Sequence, residues 1–581
     1  MPFELKRSAA AAVVVVLAAC AVPLQPDTAA RAPELPGFGT LQWAITTPSA
    51  QAQRQFTQGV LQAYAFNEAE AVRQFKAALA QDPACAMCAW GVAWQLGPNI
   101  NNSSRDGAAE ALRYLSHALR HAAKASPRER ALIDALALRY GHHSQARETA
   151  PLLAERCGPG AASGDEERAH PLDVAYAERL RRLVDASPTD ADLLSLYAEA
   201  ELIATSGAWW NETTGQPNGR IGELVTLLEQ ALKSLTDHTG LNHYLIHAAD
   251  AAPAATRALA AADRMGRLAP GSPHLLHMPS HIYVRVGRYA DATRVNEEAM
   301  SAEQKLFDAQ KVQGFSISKD WRNHDQHFLW FGALMEGRGD VALAAARDLA
   351  SRATGDHAFA EYRRSLPVLA LLRLQRWDAL RKEPVATGNK GMAQALGDSA
   401  RGVAFMHGGQ RDEARAALAR AQIGVALVAK AHAKPKGWER MLRDISQSAV
   451  DHLQAQIASA EGRHDDALKL QAQAVAASKD ADSNEPPMLG AGARLALGNL
   501  QLRAGRAADA EKTFREDLAA QPGSGWALTG LSQALMVQGK TADAKPFTDQ
   551  LAQAWPLADA ALADAALADA ALTAPSGPGG R

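Results

Sequence analysis

The chain has no surplus of positive charge: 61 Lys and Arg stand against 63 Asp and Glu, a formal net charge of -2. A sequence so balanced cannot neutralise many phosphates, which excludes a general nucleic-acid binder and disfavours docking on anionic membrane surfaces. Aromatic residues are scarce at 6%, and few stretches alternate β-branched with polar residues, so strands are not expected. Past the N-terminus no segment offers the roughly 20 consecutive apolar residues that a membrane helix needs. Serines lack a nucleophile-elbow pattern, and Gly97-Pro98-Asn99 is a turn signal without a phosphate-loop setting. Only 4 cysteines are present. Cys85-Ala-Met-Cys88 has neither the strand-then-helix context of a thioredoxin-like motif nor a second CxxC to complete a zinc site. The pair is therefore expected as a structural disulfide or as two buried thiols, with Cys157 as an alternative partner in an oxidising compartment.

What the chain does have begins with an export signal. Lys6 and Arg7 form a basic region, Ala9 to Leu17 a short apolar one, and the segment ends in Leu17-Ala18-Ala19-Cys20. That ending resembles the lipobox of bacterial lipoproteins. The resemblance implies cleavage before Cys20, acylation of its thiol and a lipid anchor in the cell envelope facing the periplasm; an ordinary signal peptide would leave a soluble periplasmic protein. Residues 21–50, rich in Pro and Ala, read as a flexible tether.

At 581 residues the chain is too long for one ordinary core, so it is either several domains or an array of stacked units. Self-similarity decides for the array. A glycine followed five places later by alanine recurs at Gly287/Ala292, Gly337/Ala342, Gly409/Ala414, Gly462/Ala467, Gly505/Ala510 and Gly539/Ala544. Glycine permits the tight turn between two helices, and the small alanine lets the second pack on the first. The last two glycines are 34 residues apart, the tetratricopeptide period. An N-terminal copy carries Gly59, Ala71, Phe75, Ala78 and Pro83, with Phe66 where the turn glycine belongs. Less regular copies are expected around Arg376-Trp377 and between Ala191 and Gln230, and residues 141–170 read as a long excursion. The expected fold is an all-α, right-handed α-solenoid of tetratricopeptide-type helix-turn-helix units. Its parts are a signal peptide (1–20), the tether (21–50), an N-terminal solenoid (51–380), a C-terminal one (381–572) and a frayed tail (573–581).

Residues 52 to about 340 resemble a family of bacterial tetratricopeptide proteins that carry the motif His277-Met278-Pro279-Ser280-His281-Ile282-Tyr283. Similar to that family are also Ala65 to Ala71, Trp90-Gly91 through Asn101, Asn242-His243-Tyr244 through His247, and Asn323-His324 through Leu329. The chain departs from it at Glu68, where members usually have His. The resemblance implies a family and no particular reaction.

Register places the histidines. In tetratricopeptide arrays the resemblance implies that the second, fifth, ninth and twelfth positions of each first helix face the concave groove. With Ala258, Ala292 and Ala342 as the reference alanines of three consecutive units, His243, His247 and Asp250 fall on such positions, as do His274, His277 and His281, and His324 and His327. With 18 His in the whole chain, chance would leave fewer than one in twelve such positions. Two His at i and i+4 project from one helix face and can share an ion. His243/His247 and His277/His281 have that spacing and His324/His327 the i, i+3 spacing, although Pro279 interrupts the second pair. Imidazoles suit zinc, copper or iron better than calcium or magnesium. Asp250 is the nearest acidic ligand or supporting residue, and Glu199 a second candidate. Trp209-Trp210, before a turn at Thr214 to Pro217, is expected to pack or to wall the groove, whereas His117, His121, His142 and His143 are expected on the surface.

The leading expectation is therefore a cell-envelope protein whose groove, in the first solenoid, binds a transition-metal ion for metal-dependent chemistry or metal handling. The competing one, from a different class, is a scaffold that holds a peptide or partner protein in the same groove without metal.

Overall fold

The computed structural model describes residues 32–559 apart from 103, 142–168, 212–213, 316–320, 385, 436 and 491. The described residues form helices joined by short turns, with no strand beyond two isolated bridges. Each helix packs against its successor, so the chain is an all-helical α-solenoid. Among the described residues no helix is long and apolar enough to cross a membrane. Cys20, Cys157, His142 and His143 lie outside the described residues, as do most of the expected excursion at 141–170 and the tail.

The turn signature does what its chemistry requires. All six of its glycines adopt positive φ, between 72° and 80°, and each partner alanine is buried where the second helix crosses the first. Two units make the turn without glycine: Phe66 (φ 50°) links Ala50–Tyr64 to Glu68–Gln81, and Gln375 (φ 56°) precedes Trp377–Lys382.

Two expectations need correction. Residues 32–49 are not a loose tether: Leu35, Phe38, Trp43 and Ile45 are buried in the main core. The segment is also bonded along its length, since Gln74 donates to the Pro33 carbonyl, Gly271 N–H to the Gly37 carbonyl, and Thr46 to Glu129. Its apolar side chains cover the inner faces of helices that would otherwise meet water. His117 is not a surface residue either; it is buried, with Nε2 2.8 Å from the Pro83 carbonyl. Cys85 and Cys88 form a buried disulfide, as one of the two readings of the CxxC required.

The solenoid is wound tightly enough for distant turns to touch. Arg73 and Glu70 of the first hairpin reach Gln313 and Gln310 at the end of Tyr289–Lys311. The C-terminal stack folds back on the first: Trp526 donates to the Leu334 carbonyl and Trp555 to the Met335 carbonyl. These closures turn the expected open groove into an interior.

Candidate metal centre

Three helical segments supply the histidines. Thr239–Ala248 carries His243 and His247; its N-cap is His238, whose ring accepts from the Leu241 N–H. The next is split by proline into Pro273–His277 and Pro279–Val286, which carry His274, His277 and His281. Pro279 offers no N–H, and His281 N–H bonds to the Met278 carbonyl, tightening the turn. The break does not part the pair: Nε2 of His277 and Nε2 of His281 stand 3.0 Å apart. Trp321–Glu336 brings His324. His243, His247, His274, His277 and His281 are all buried, and His324 lies at the solvent edge.

Two all-histidine groups emerge, His243–His247–His274 and His277–His281–His324, the ligand atoms of each lying within 4.8 Å of one another, and a third group, Asp250–His281–Glu485, shares His281 with the second. Hydrogen bonds at the far side of the rings decide which nitrogen faces inward. His243 Nδ1 is 2.7 Å from the Tyr64 carbonyl, an oxygen that only accepts, so Nδ1 carries the hydrogen and Nε2 presents its lone pair. His277 Nδ1 lies 2.7 Å from Asn296 Oδ1, and the Asn296 amide is oriented by its own bond to the Ala292 carbonyl. His281 Nδ1 donates to Asp250 Oδ2 at 2.8 Å and Glu485 Oε2 at 2.9 Å. Three rings are thus oriented from outside with Nε2 turned inward, the arrangement by which outer partners fix metal-binding imidazoles.

Inward, His243 Nε2 faces His274 Nε2 at 3.1 Å. Bonds of about 2.0–2.1 Å to one ion place neighbouring ligand nitrogens about 2.9–3.4 Å apart, so both Nε2 pairs have the spacing of a shared ion. His247 Nε2 is buried with no hydrogen-bond partner in the protein. Such an orphaned buried ring nitrogen costs about 1–3 kcal/mol unless something meets it. The donor set therefore fits a transition metal that favours imidazole, with zinc, copper and iron all admitted.

Electrostatics separate the rings. Burial lowers His243 to about 3 and holds His247, His274 and His277 well below the ordinary value, so they are neutral. Burial acts on His281 in the same sense, but the charges and hydrogen bonds of Asp250 and Glu485 outweigh it and lift His281 to about 10. Asp250 is correspondingly held below the carboxylate range by His281 and Arg285 against its burial, while burial and the neighbouring Asp250 raise Glu485. A proton on His281 Nε2 points at His277, where an ion would sit, so loading this group releases that proton.

The walls are aromatic. Phe66 stacks on His274 at 4.9 Å and on His247 at 5.4 Å, and its ring is 4.5 Å from that of His243. Trp209 meets His247, Trp321 meets His274, and Phe328 meets His281 and His324. The expected turn after Trp209-Trp210 is present, with Asn211 N–H on the Gln216 carbonyl.

Of the predicted residues, six histidines and Asp250 come together. Two candidates do not join them. His327 belongs to neither group: its Nε2 is 3.0 Å from the Tyr362 hydroxyl, which itself donates to the Met488 carbonyl. Three residues along a helix leave it about 60° around the axis from His324, toward another neighbour. Glu199 is buried elsewhere, its Oε2 accepting from Trp94 Nε1 at 2.8 Å. Sequence reasoning missed Glu485, Asn296, Asp325 and Phe66. Asp325 Oδ1 stands 3.3 Å from His277 Nδ1. Only Phe66 left a signal, as the wrong residue for a left-handed turn.

No protein-family model matches the chain, and no curated protein matches it. Among solved structures it is similar to the Cut9–Hcn1 hetero-tetramer of APC/C, at 12% identity over 90% of this chain and 96% of that one, TM-score 0.24. It is also similar to the P58(IPK) TPR domain, at 10% identity over 90% and 98%, TM-score 0.21, and to yeast Tom70, at 12% over 90% and 89%, TM-score 0.20. The α-solenoid assignment stands on the chain's own helix stacking.

Proposed function

We propose that this protein is a metal-binding α-solenoid of tetratricopeptide type, exported and lipid-anchored through Cys20, that takes a transition-metal ion into its buried histidine pocket for metal-dependent chemistry or metal handling. One observation carries the reading. Rings oriented from behind by Tyr64, Asn296, Asp250 and Glu485 converge through Nε2 at 3.0–3.1 Å, beside a buried His247 Nε2 without a protein partner. The protein alone leaves His247 Nε2 unmet in this cluster, whereas an ion shared with His243 and His274 satisfies it, and an ion can likewise replace the His281 proton between His277 and His281.

The test is elemental analysis of the purified chain lacking residues 1–20, after reconstitution with zinc, copper(II) or iron(II). At least one equivalent of a transition metal is expected. Less than a tenth of an equivalent of every metal overturns the reading.

The scaffold reading keeps a surface of its own apart from the histidines, of which only His324 in the two groups faces solvent. Where the two stacks meet, a cleft of about 150 Å³ is lined by Trp377, His407, His452 and Arg503, with Trp377 and His407 stacked at 3.9 Å. Substituting His277 and His281 separates the two readings, since it lowers the metal bound without touching this cleft.

A further inference from the structure

We infer that the pocket holds two metal ions, one closed in the interior and one open at the solvent edge, an inference that rests on the metal-binding reading above. The six rings do not form one cage. They divide into His243–His247–His274 and His277–His281–His324, which share no residue, and each group has its own pair of facing Nε2 atoms, at 3.1 and 3.0 Å. The groups adjoin at His274 and His277, whose ring centroids are 6.4 Å apart. A ring nitrogen lies about 1.2 Å from its centroid, so nitrogens of these two rings approach no nearer than about 4.0 Å, beyond the roughly 3.4 Å that separates two ligands of one tetrahedral ion with bonds of about 2.1 Å. Each Nε2 is already turned to a partner in its own group. One ion therefore serves one group, and the other group remains a complete three-imidazole site.

The two differ in access. The first group is enclosed: all three rings are buried and Phe66 stacks across two of them, with Trp209 and Trp321 at its sides. The second has a solvent-facing member in His324, and beside His281 a small cavity of about 20 Å³, room for about one water, is bounded by Phe328, Asn484, Glu485 and Pro486. Metal sites that only hold structure are closed, whereas those that exchange ligands keep a position open. Both groups offer three imidazoles, so each ion keeps a fourth position; the His243–His247–His274 ion is sealed from solvent, whereas the His277–His281–His324 ion keeps a position for water reached past the solvent-facing His324.

Zinc alone is the probe. Equilibrium dialysis of the purified protein is expected to give two equivalents, one retained after brief exposure to a soluble chelator and one lost. The double variants His247→Ala/His274→Ala and His281→Ala/His324→Ala are each expected to keep one. A wild-type stoichiometry of one overturns the inference while leaving the metal-binding reading intact, and a stoichiometry of zero overturns that reading itself. Two equivalents lost at the same rate overturn the division into closed and open sites. Should a variant fail to fold, titration of the wild-type protein with cobalt(II) decides: visible absorption that rises to two equivalents supports two sites, and a break at one rejects them.

Discussion

Glu485 meets His281 across 204 positions of sequence, its Oε2 2.9 Å from the imidazole Nδ1. The carboxylate comes from the C-terminal stack, and Arg285 holds it in place while also bonding Asp250. A centre built otherwise from the first solenoid is therefore completed only when the second is docked. Removing an outer partner of a ligating histidine typically costs 10–100-fold in metal affinity. Glu485→Ala is expected to weaken zinc binding at the His281 group about tenfold, read by competition against a chromophoric chelator, with the circular dichroism spectrum unchanged.

Phe66 combines a cost and a gain. Its φ of 50° is strained for a residue with a β-carbon, at about 1–2 kcal/mol, but its buried ring fills the space between three imidazoles. Deleting a buried aromatic costs about 3–5 kcal/mol, so Phe66→Gly loses more than relief of the turn returns, a net destabilisation of about 1–4 kcal/mol. The expected outcome is a lower thermal midpoint together with lost metal at the first group, whereas a glycine that stabilised the chain would show the ring to be dispensable.

Two glycines of one signature predict different penalties. Gly409 (φ 72°) has open space where a β-carbon would stand, so Gly409→Ala meets only backbone strain of about 1–2 kcal/mol. At Gly287 (φ 80°) the added carbon would lie 2.2 Å from the Pro522 carbonyl oxygen, in the contact between the two stacks. Gly287→Ala is expected to lower the thermal midpoint further than Gly409→Ala and to loosen the C-terminal stack, seen as faster limited proteolysis between the two halves.

Glu199 gives the stability a pH dependence. Burial raises its carboxyl from 4.5 to about 7, with the Arg139 charge and the Trp94 bond acting against the rise. The folded state holds this proton more tightly than the unfolded chain, so the stability tied to it is full below about pH 4.5 and is lost as pH rises through about 7. Glu199→Gln keeps an acceptor for Trp94 and carries no charge. It is expected to match the parent near pH 4.5 and to exceed it by about 1–3 kcal/mol at pH 8, measured by denaturant titration at both values.

Periodicity alone determined the helical hairpins, because the glycine of each turn and the alanine of each crossing act within one unit. The grouping of His243, His247, His274, His277, His281 and His324 was legible for the same reason: side-chain direction along a helix repeats, and adjacent units superpose. What only the tertiary structure decided arises between units far apart in sequence. The winding that sets the Tyr64 carbonyl behind His243 and Phe66 among the rings, the return of the C-terminal stack that delivers Glu485, and the burial of residues 32–49 depend on accumulated rotation from one repeat to the next. So does the division of the histidines into an inner and an outer group. Each repeat's rotation is small and is set by the packing of whole side chains, which no local spacing of residues records.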